Sequence, residues 1–378
     1  MTYDIVVVGA GISGAVLAER YATLLNKKVL VLEKRDHIGG NCYDYIDKAG
    51  VLVSKYGAHL FHTNFEDVWS YIHTFSDWSP YRHRVLTHVD GKLVPVPVNI
   101  TTVNALLGLH IQNEPEMKAW LKTQVVPIKN PKNSEESGLS RVGPLLYEKL
   151  FKNYTKKQWD IDPKNLDAAV LDRIPVRTNF DDSYFSDIHQ AQPTDGYTKV
   201  FEKMLSNPNI TVKLHTDYFS EKDKLEPYEK LFFTGPIDLF FRYKFGKKLQ
   251  YRSLRFELET IDREYYQENS VINFPNEHPY TRIVEYKHIT KQKLPKTTIA
   301  REFPTWEGEP YYPVPSPENK ALYEQYAKEA AKAENEGIYF VGRLANYKYF
   351  NMDQAFKNAL DLFYRLEPEA PAVTSMKT

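Results

Sequence analysis

Cysteine is almost absent: Cys42 stands alone, which excludes an intramolecular disulfide and a cysteine-built metal site and fits a reducing compartment. Cys42 itself reads as a small, half-buried packing residue. Net charge is absent as well, because 49 Lys and Arg balance 49 Asp and Glu. The whole chain therefore offers no electrostatic footprint for nucleic acid or an anionic membrane, and any anion must be bound by local arginines. Long apolar runs are also missing. None approaches the roughly 18 residues that a membrane-spanning helix needs, and Met1-Thr2-Tyr3-Asp4 leads into an apolar run without a basic leader. The expectation is a soluble, cytoplasmic protein.

Aromatic residues, by contrast, are plentiful. With 27 Tyr and 20 Phe, most must fill an aromatic-rich core, and only those beside arginine and glycine motifs point to a ligand. The length of 378 residues exceeds one compact domain. Ile5-Val6-Val7-Val8 and Val29-Leu30-Val31-Leu32 are continuous apolar runs of the kind a doubly covered parallel strand requires, and Val16, Leu17 and Tyr21 recur between them at helical spacing. Lys230 to Gly235 and Ile338 to Gly342 repeat the pattern of a buried strand ending in glycine. The fold class is therefore α/β, with a discontinuous Rossmann-like domain over residues 1–80, 195–238 and 317–366. Helical spacing, as in Val142, Leu145, Leu146, Lys149 and Leu150, marks a helical insertion over 100–172. Alternation in Leu254 to Leu258, with further strands at Val271–Phe274, Arg282–Tyr286 and Thr298–Phe303, predicts an antiparallel meander in a sheet domain of 81–99, 173–194 and 239–316. Residues 367–378 read as a flexible tail.

Gly9-Ala10-Gly11-Ile12-Ser13-Gly14 has GxGxxG spacing, a weak signal alone and a strong one here, between a strand and a helix. Glu33 ends the second strand, where its carboxylate can accept ribose hydroxyls, while the helix N-terminus offers N–H groups to a pyrophosphate. The next stretch, Glu33-Lys34-Arg35-Asp36-His37-Ile38-Gly39-Gly40-Asn41, resembles the extended fingerprint of the flavoproteins with two dinucleotide-binding domains, which favours FAD over NAD. Thr234-Gly235 and Gly342-Arg343 resemble flavoprotein elements too.

Seven further stretches, in order along the chain, are similar to the UDP-galactopyranose mutase family. They are Lys55 to Thr63, Asn153 to Trp159, Arg173 to Arg177, Asp181 to Phe185, Pro279 to Arg282, Pro310 to Pro313, and Gly342 to Tyr349. The resemblance implies a ring contraction between UDP-galactopyranose and UDP-galactofuranose without net oxidation, through a covalent sugar adduct at N5 of reduced FAD. It places Tyr154 and Phe151 at the uracil, with Thr155 and Trp159 near uridine or sugar. It assigns Arg173, Arg252 and Arg282 to the diphosphate or closed sugar site, and Tyr184, Tyr312 and Tyr349 to the phosphates. Arg173 and Arg282 are the expected catalytic cations. The loop of His59, Leu60 and His62 and the residue Arg343 are set against the flavin, and Asn351, Met352, Asp353, Gln354 and Ala355 at its helix N-terminus. Gly9, Gly11, Ser13, Gly14, Glu33, Lys34, Gly40 and Asn41 complete the cofactor set. No metal is expected.

A mobile lid is predicted over Asp160 to Val176. The resemblance also implies a homodimer and a separate reductant, a reduced nicotinamide being one candidate. Three positions depart from the family's usual pattern: Asn351 for Asp, Asp160 for Gly, and His83, near the sugar, for Asn. They leave open a preference for the N-acetylated sugar. Two other readings also stay open, a flavin oxidoreductase of the amine-oxidase type and a non-catalytic UDP-sugar-binding module.

Overall fold

The computed structural model describes residues 2–372. Of the flexible tail expected over 367–378, residues 373–378 lie outside the described residues. Strands with no polar face must be covered on both sides, and Ile5, Val7, Val29, Val31, Leu231 and Phe232 have no exposed surface. They belong to a five-stranded sheet in the order Ile210–Lys213, Val29–Leu32, Ile5–Val8, Lys230–Phe233, Ile338–Phe340, with every neighbouring pair parallel. The register sets Val8 beside both Leu32 and Phe233. The residues that follow, Gly9, Glu33 and Thr234, therefore meet at the carboxyl edge, where open α/β sheets bind ligands. Helices Ile12–Leu25 and Met352–Leu366 pack against each other over this sheet.

A second sheet of seven strands corrects the expected meander. Its order is Tyr312–Pro313, Tyr251–Ile261, Thr297–Thr305, Arg282–Glu285, Val271–Asn273, Val85–Val89, Lys92–Val96. Thr297–Thr305 separates Tyr251–Ile261 from the strands that directly follow it in sequence, and Val271–Asn273 runs parallel to Val85–Val89. Length accounts for the rearrangement. The long strand pairs continuously from Ser253 to Ile261 with Thr305 to Thr297, and each added cross-strand pair stabilises that partner over a short hairpin. A small sheet of Phe61–Thr63, His189–Pro193 and Trp78–Pro80 carries no apolar alternation and was not anticipated.

The helical region holds Ile100–Leu107, Glu114–Gln124 and Ser134–Leu146. Asn99 caps the first of these, its side chain accepting the Thr102 N–H at 2.9 Å. Gly143, at φ +77°, and Pro144 break the third, and Tyr147–Lys152 continues as a π-helical turn. The break and the wider turn after it shift the buried face: Leu145, expected inward, is 47% exposed, while Tyr147, Leu150 and Phe151 lie in the core. Helix Asn153–Trp159 follows and ends on Asp160. Among the described residues no helix is long and apolar enough to cross a membrane.

Candidate active site

Two clefts meet at the carboxyl edge of the parallel sheet. The first, of about 1300 Å³, is lined by Gly9, Gly11, Ser13, Glu33, Lys34, Gly40 and Asn41, among others. Gly40, at φ +56°, comes so close to the glycine turn that a Cβ there would lie 2.9 Å from the Gly11 Cα; only two glycines allow this approach. The buried Glu33 carboxylate accepts the Ala10 N–H at 2.8 Å and the Arg35 N–H at 2.9 Å. These bonds fix its orientation and leave lone pairs for hydroxyl donors. Close backbone, a helix N-terminus and a fixed carboxylate suit a ribose and a pyrophosphate, so this chain's residues fit a dinucleotide such as FAD.

The second cleft, of about 1750 Å³, lies between the sheet domain and the helical region. His59, Arg343, Asn351 and Met352 line both clefts, so the two are continuous at that junction. Arg173, Arg282 and Arg343 all face the second one. The Arg282 guanidinium donates to the Tyr154 hydroxyl and lies 3.4 Å from the buried Glu302 carboxylate. Arg173 lies 4.3 Å over the Tyr349 ring, which stacks on Tyr312 at 5.2 Å. Arg343 donates to the Phe350 carbonyl at 2.6 Å.

Electrostatics follow from this crowding of cations. Burial would raise the Tyr349 phenol, but Arg173 and Arg343 outweigh it and hold it below its ordinary value. Burial raises the Glu302 carboxyl, with Arg282 opposing. His83 is pushed down to about 3 by burial, with Arg282 and His62 nearby, and His59 to about 4 by burial, with Arg343 adding to it against a bond to the Gly57 carbonyl. Both imidazoles are therefore neutral near pH 7. His62 stacks on Phe185 at 3.6 Å and pairs with Asp187 at 2.9 Å.

Of the substrate residues expected from sequence, His83, Tyr154, Trp159, Arg173, Tyr184, Arg282, Tyr312 and Tyr349 line the second cleft. Phe151 lies instead in the core of the helical region, Thr155 is buried in its helix, and Arg252 is buried under Trp306, its guanidinium 4.4 Å from that ring. Among the expected cofactor residues, Arg343, Asn351, Met352 and Ala355 reach the first cleft, while Leu60 and His62 face the second. Gly14 lies inside helix Ile12–Leu25, Asp353 is buried in its own helix, and Gln354 reaches back to accept the Asn351 N–H at 3.0 Å. Asn351 thus stands as a helix N-cap, a place that Asn fills as well as Asp.

Sequence reasoning missed Phe185, Asp187 and Glu302 in the second cleft and the stretch Thr216 to Phe219 in the first. Phe185 and Asp187 lie in or next to a motif already noted, so proximity could have found them. Glu302 and Thr216 to Phe219 carry no local signal.

Residues 149–349 match the UDP-galactopyranose mutase family, and residues 7–75 match NAD(P)-binding Rossmann-like domains. The dTDP-fucopyranose mutase of Escherichia coli is 38% identical over 94% of this chain and 96% of its own. The probable UDP-galactopyranose mutase of Klebsiella pneumoniae is 37% identical over 94% and 93%, and the UDP-galactopyranose mutase of Mycoplasma genitalium 36% identical over 94% and 92%. A crystal structure of reduced UDP-galactopyranose mutase shares the fold at a TM-score of 0.78 and 17% identity, covering 100% of this chain and 96% of that one. A putative protoporphyrinogen oxidase from Exiguobacterium sp. 255-15 does so at 0.68 and 13%, covering 98% and 99%; at such identities the likeness is one of fold. The Rossmann unit and the family together imply a flavin cofactor. On the profile match and on relatives similar from end to end, this chain belongs to the UDP-galactopyranose mutase family and is an isomerase of the mutase type.

Proposed function

We propose that the chain interconverts UDP-galactopyranose and UDP-galactofuranose with FAD in its reduced form. The observation that carries this reading is the convergence of Arg173, Arg282 and Arg343 with Tyr184, Tyr312 and Tyr349 on one cleft that joins the dinucleotide cleft. Three planar cations suit a diphosphate better than a neutral substrate. An oxidoreductase of the amine-oxidase type would call for a charge-poor, aromatic cleft instead.

His59, Arg343, Asn351 and Met352, which line both clefts, would hold the flavin ring, and in its reduced form the ring would supply a nucleophilic nitrogen to the sugar. The protein's own residues do the rest. Arg173 and Arg282 take up the charge that grows on the diphosphate as its bond to the anomeric carbon breaks. Tyr154, oriented by Arg282, offers a ring face to the base, and Trp159 closes the cleft beside it. Held there, UDP stays in place to return once the sugar ring has reclosed. The segment from Asp160 to Val176 acts as a lid. In this structure its Leu171 carbonyl accepts from Arg141 at 2.7 Å and its Asp167 carbonyl from Ser134 at 2.7 Å. A cytoplasmic homodimer completes the reading, the location resting on composition and the dimer on the family resemblance, with a nicotinamide donor as one candidate reductant.

The test is turnover. Purified protein with bound flavin is incubated with UDP-galactofuranose, with and without dithionite, and the nucleotide sugars are separated by chromatography. Formation of UDP-galactopyranose only under reduction is expected. No UDP-galactopyranose under reduction would overturn the reading; turnover of dTDP-fucofuranose or the N-acetylated UDP-sugar in parallel incubations would then reassign the substrate, and no turnover of any would leave a non-catalytic UDP-sugar binder.

A further inference from the structure

Asp160 is an odd residue for its place. It ends helix Asn153–Trp159 in the left-handed region, at φ +53° and ψ 32°, with its N–H bonded to the Lys156 carbonyl at 2.7 Å. Backbone geometry alone would favour glycine there, because a Cβ is penalised in this conformation. The chain carries an aspartate there at that cost, and its side chain makes an offsetting contact. The carboxylate accepts the indole N–H of Trp306 at 2.7 Å, across 146 residues of sequence.

Trp306 has a second partner. Its ring covers the guanidinium of Arg252, 4.4 Å away, and Arg252 is only 2% exposed. Arg252 in turn donates from Nε to the Gln158 carbonyl at 3.1 Å, while its Nη1 is buried without a hydrogen-bond partner. Burial lowers the Arg252 pKa, and Asp160 is the carboxylate that opposes this. The carbonyl of Gln158 and the carboxylate of Asp160 flank Trp159, whose side chain lines the substrate cleft. Neither Asp160 nor Trp306 lines that cleft, so neither acts on substrate directly.

We propose that Asp160, Trp306 and Arg252 form a latch that holds Trp159 in place and anchors the first residue of the lid. Asp160 and Trp306 are thus positioning residues that set affinity for the nucleotide. The inference rests on the mutase reading for its ligand. It goes beyond that reading in assigning a role to two side chains, Asp160 and Trp306, that lie outside the cleft lining.

The variants Asp160→Gly, Asp160→Asn and Trp306→Phe, and the double Asp160→Gly/Trp306→Phe, are compared with wild type in the flavin-bound form. The readouts are UDP affinity by calorimetry, tryptic cleavage after the exposed Lys164 without UDP, and melting temperature. Losing one hydrogen bond predicts UDP binding about fivefold weaker in Asp160→Gly and in Trp306→Phe, with faster cleavage. The double variant should be no worse than either single one. Asp160→Asn, which keeps an acceptor, should recover most of both signals. Asp160→Gly should melt no lower than wild type, since glycine relieves the backbone, so weaker binding could not be blamed on a weaker fold. Wild-type affinity and cleavage in Asp160→Gly, or an Asp160→Asn as impaired as Asp160→Gly, would overturn the latch. If wild type itself fails to bind UDP, the mutase reading falls, and the cleavage rates still decide the latch.

Discussion

The two clefts are built from different materials. The dinucleotide cleft is made largely of backbone: the turn Gly9 to Gly14, the pair Gly39-Gly40, and a helix N-terminus aligned by strands in register at Val8 and Leu32. The substrate cleft is made of side chains carried by elements far apart in sequence, with Tyr154 on a helix, Arg282 and Glu302 on neighbouring strands, and Tyr349 before the last helix. Backbone recognition is all or nothing, because a clash between main chains has nowhere to relax. Side-chain recognition is graded, because charge and hydrogen bonds can be removed one at a time.

That contrast is open to breakage. The largest effect is expected from Gly14→Val, since even a Cβ at Gly14 would lie 1.9 Å from the Gly9 carbonyl oxygen. Overpacking of this kind costs about 3 kcal/mol or more, so the variant should be obtained unfolded or without flavin. Stoichiometric flavin absorbance with an unchanged melting temperature would refute the backbone account.

Arg282→Met should come next. It leaves the Glu302 carboxylate buried beside an apolar group, for a loss of about 2 kcal/mol, moderated because Arg282 is itself a third exposed. Burial already raises the Glu302 carboxyl, and loss of Arg282 raises it further. A raised acid favours the folded state below its unfolded value, and that stability is lost as pH rises. The melting temperature of Arg282→Met should therefore climb as pH falls from about 7 toward 5, more steeply than in wild type. Adding Glu302→Gln should restore stability at neutral pH without restoring turnover. Recovery of both would mean that Arg282 serves only as a structural partner of Glu302.

The smallest effect belongs to Tyr349→Phe. Because Arg173 and Arg343 hold the phenol below its ordinary value, phenolate forms early as pH rises and opposes the diphosphate. UDP affinity of wild type should fall by roughly threefold between about pH 7 and 9.5, and the phenylalanine variant should lack that decline in a calorimetric titration. A parallel decline in both would assign it to another group.

Legibility from sequence divided along the same line. The parallel sheet could be read because a strand buried on both faces must be apolar throughout, as Ile5 to Val8 and Val29 to Leu32 are. The order of the second sheet could not, because Tyr251–Ile261 and Thr297–Thr305 each alternate without naming a partner. In the candidate site, Tyr154 and Arg282 were visible through their motifs. Arg252 was visible too, yet the structure turns it under Trp306 and out of the cleft lining. Phe151 belongs to the π-helical turn Tyr147–Lys152, whose wider spacing no sequence pattern announces, and lies in the core.

The glycine turn, the strand-helix-strand unit and the family are written in the order of residues, since each depends on neighbours in the chain or on an ordered set of short motifs. Which charges face one another is set by the folded backbone. Arg282 meets Glu302 through strand pairing, Asp160 meets Trp306 across the long intervening chain, and the two clefts join at His59 and Arg343. Short-range periodicity encodes burial, whereas a pairing between distant side chains exists only after the backbone has brought them within a few ångströms.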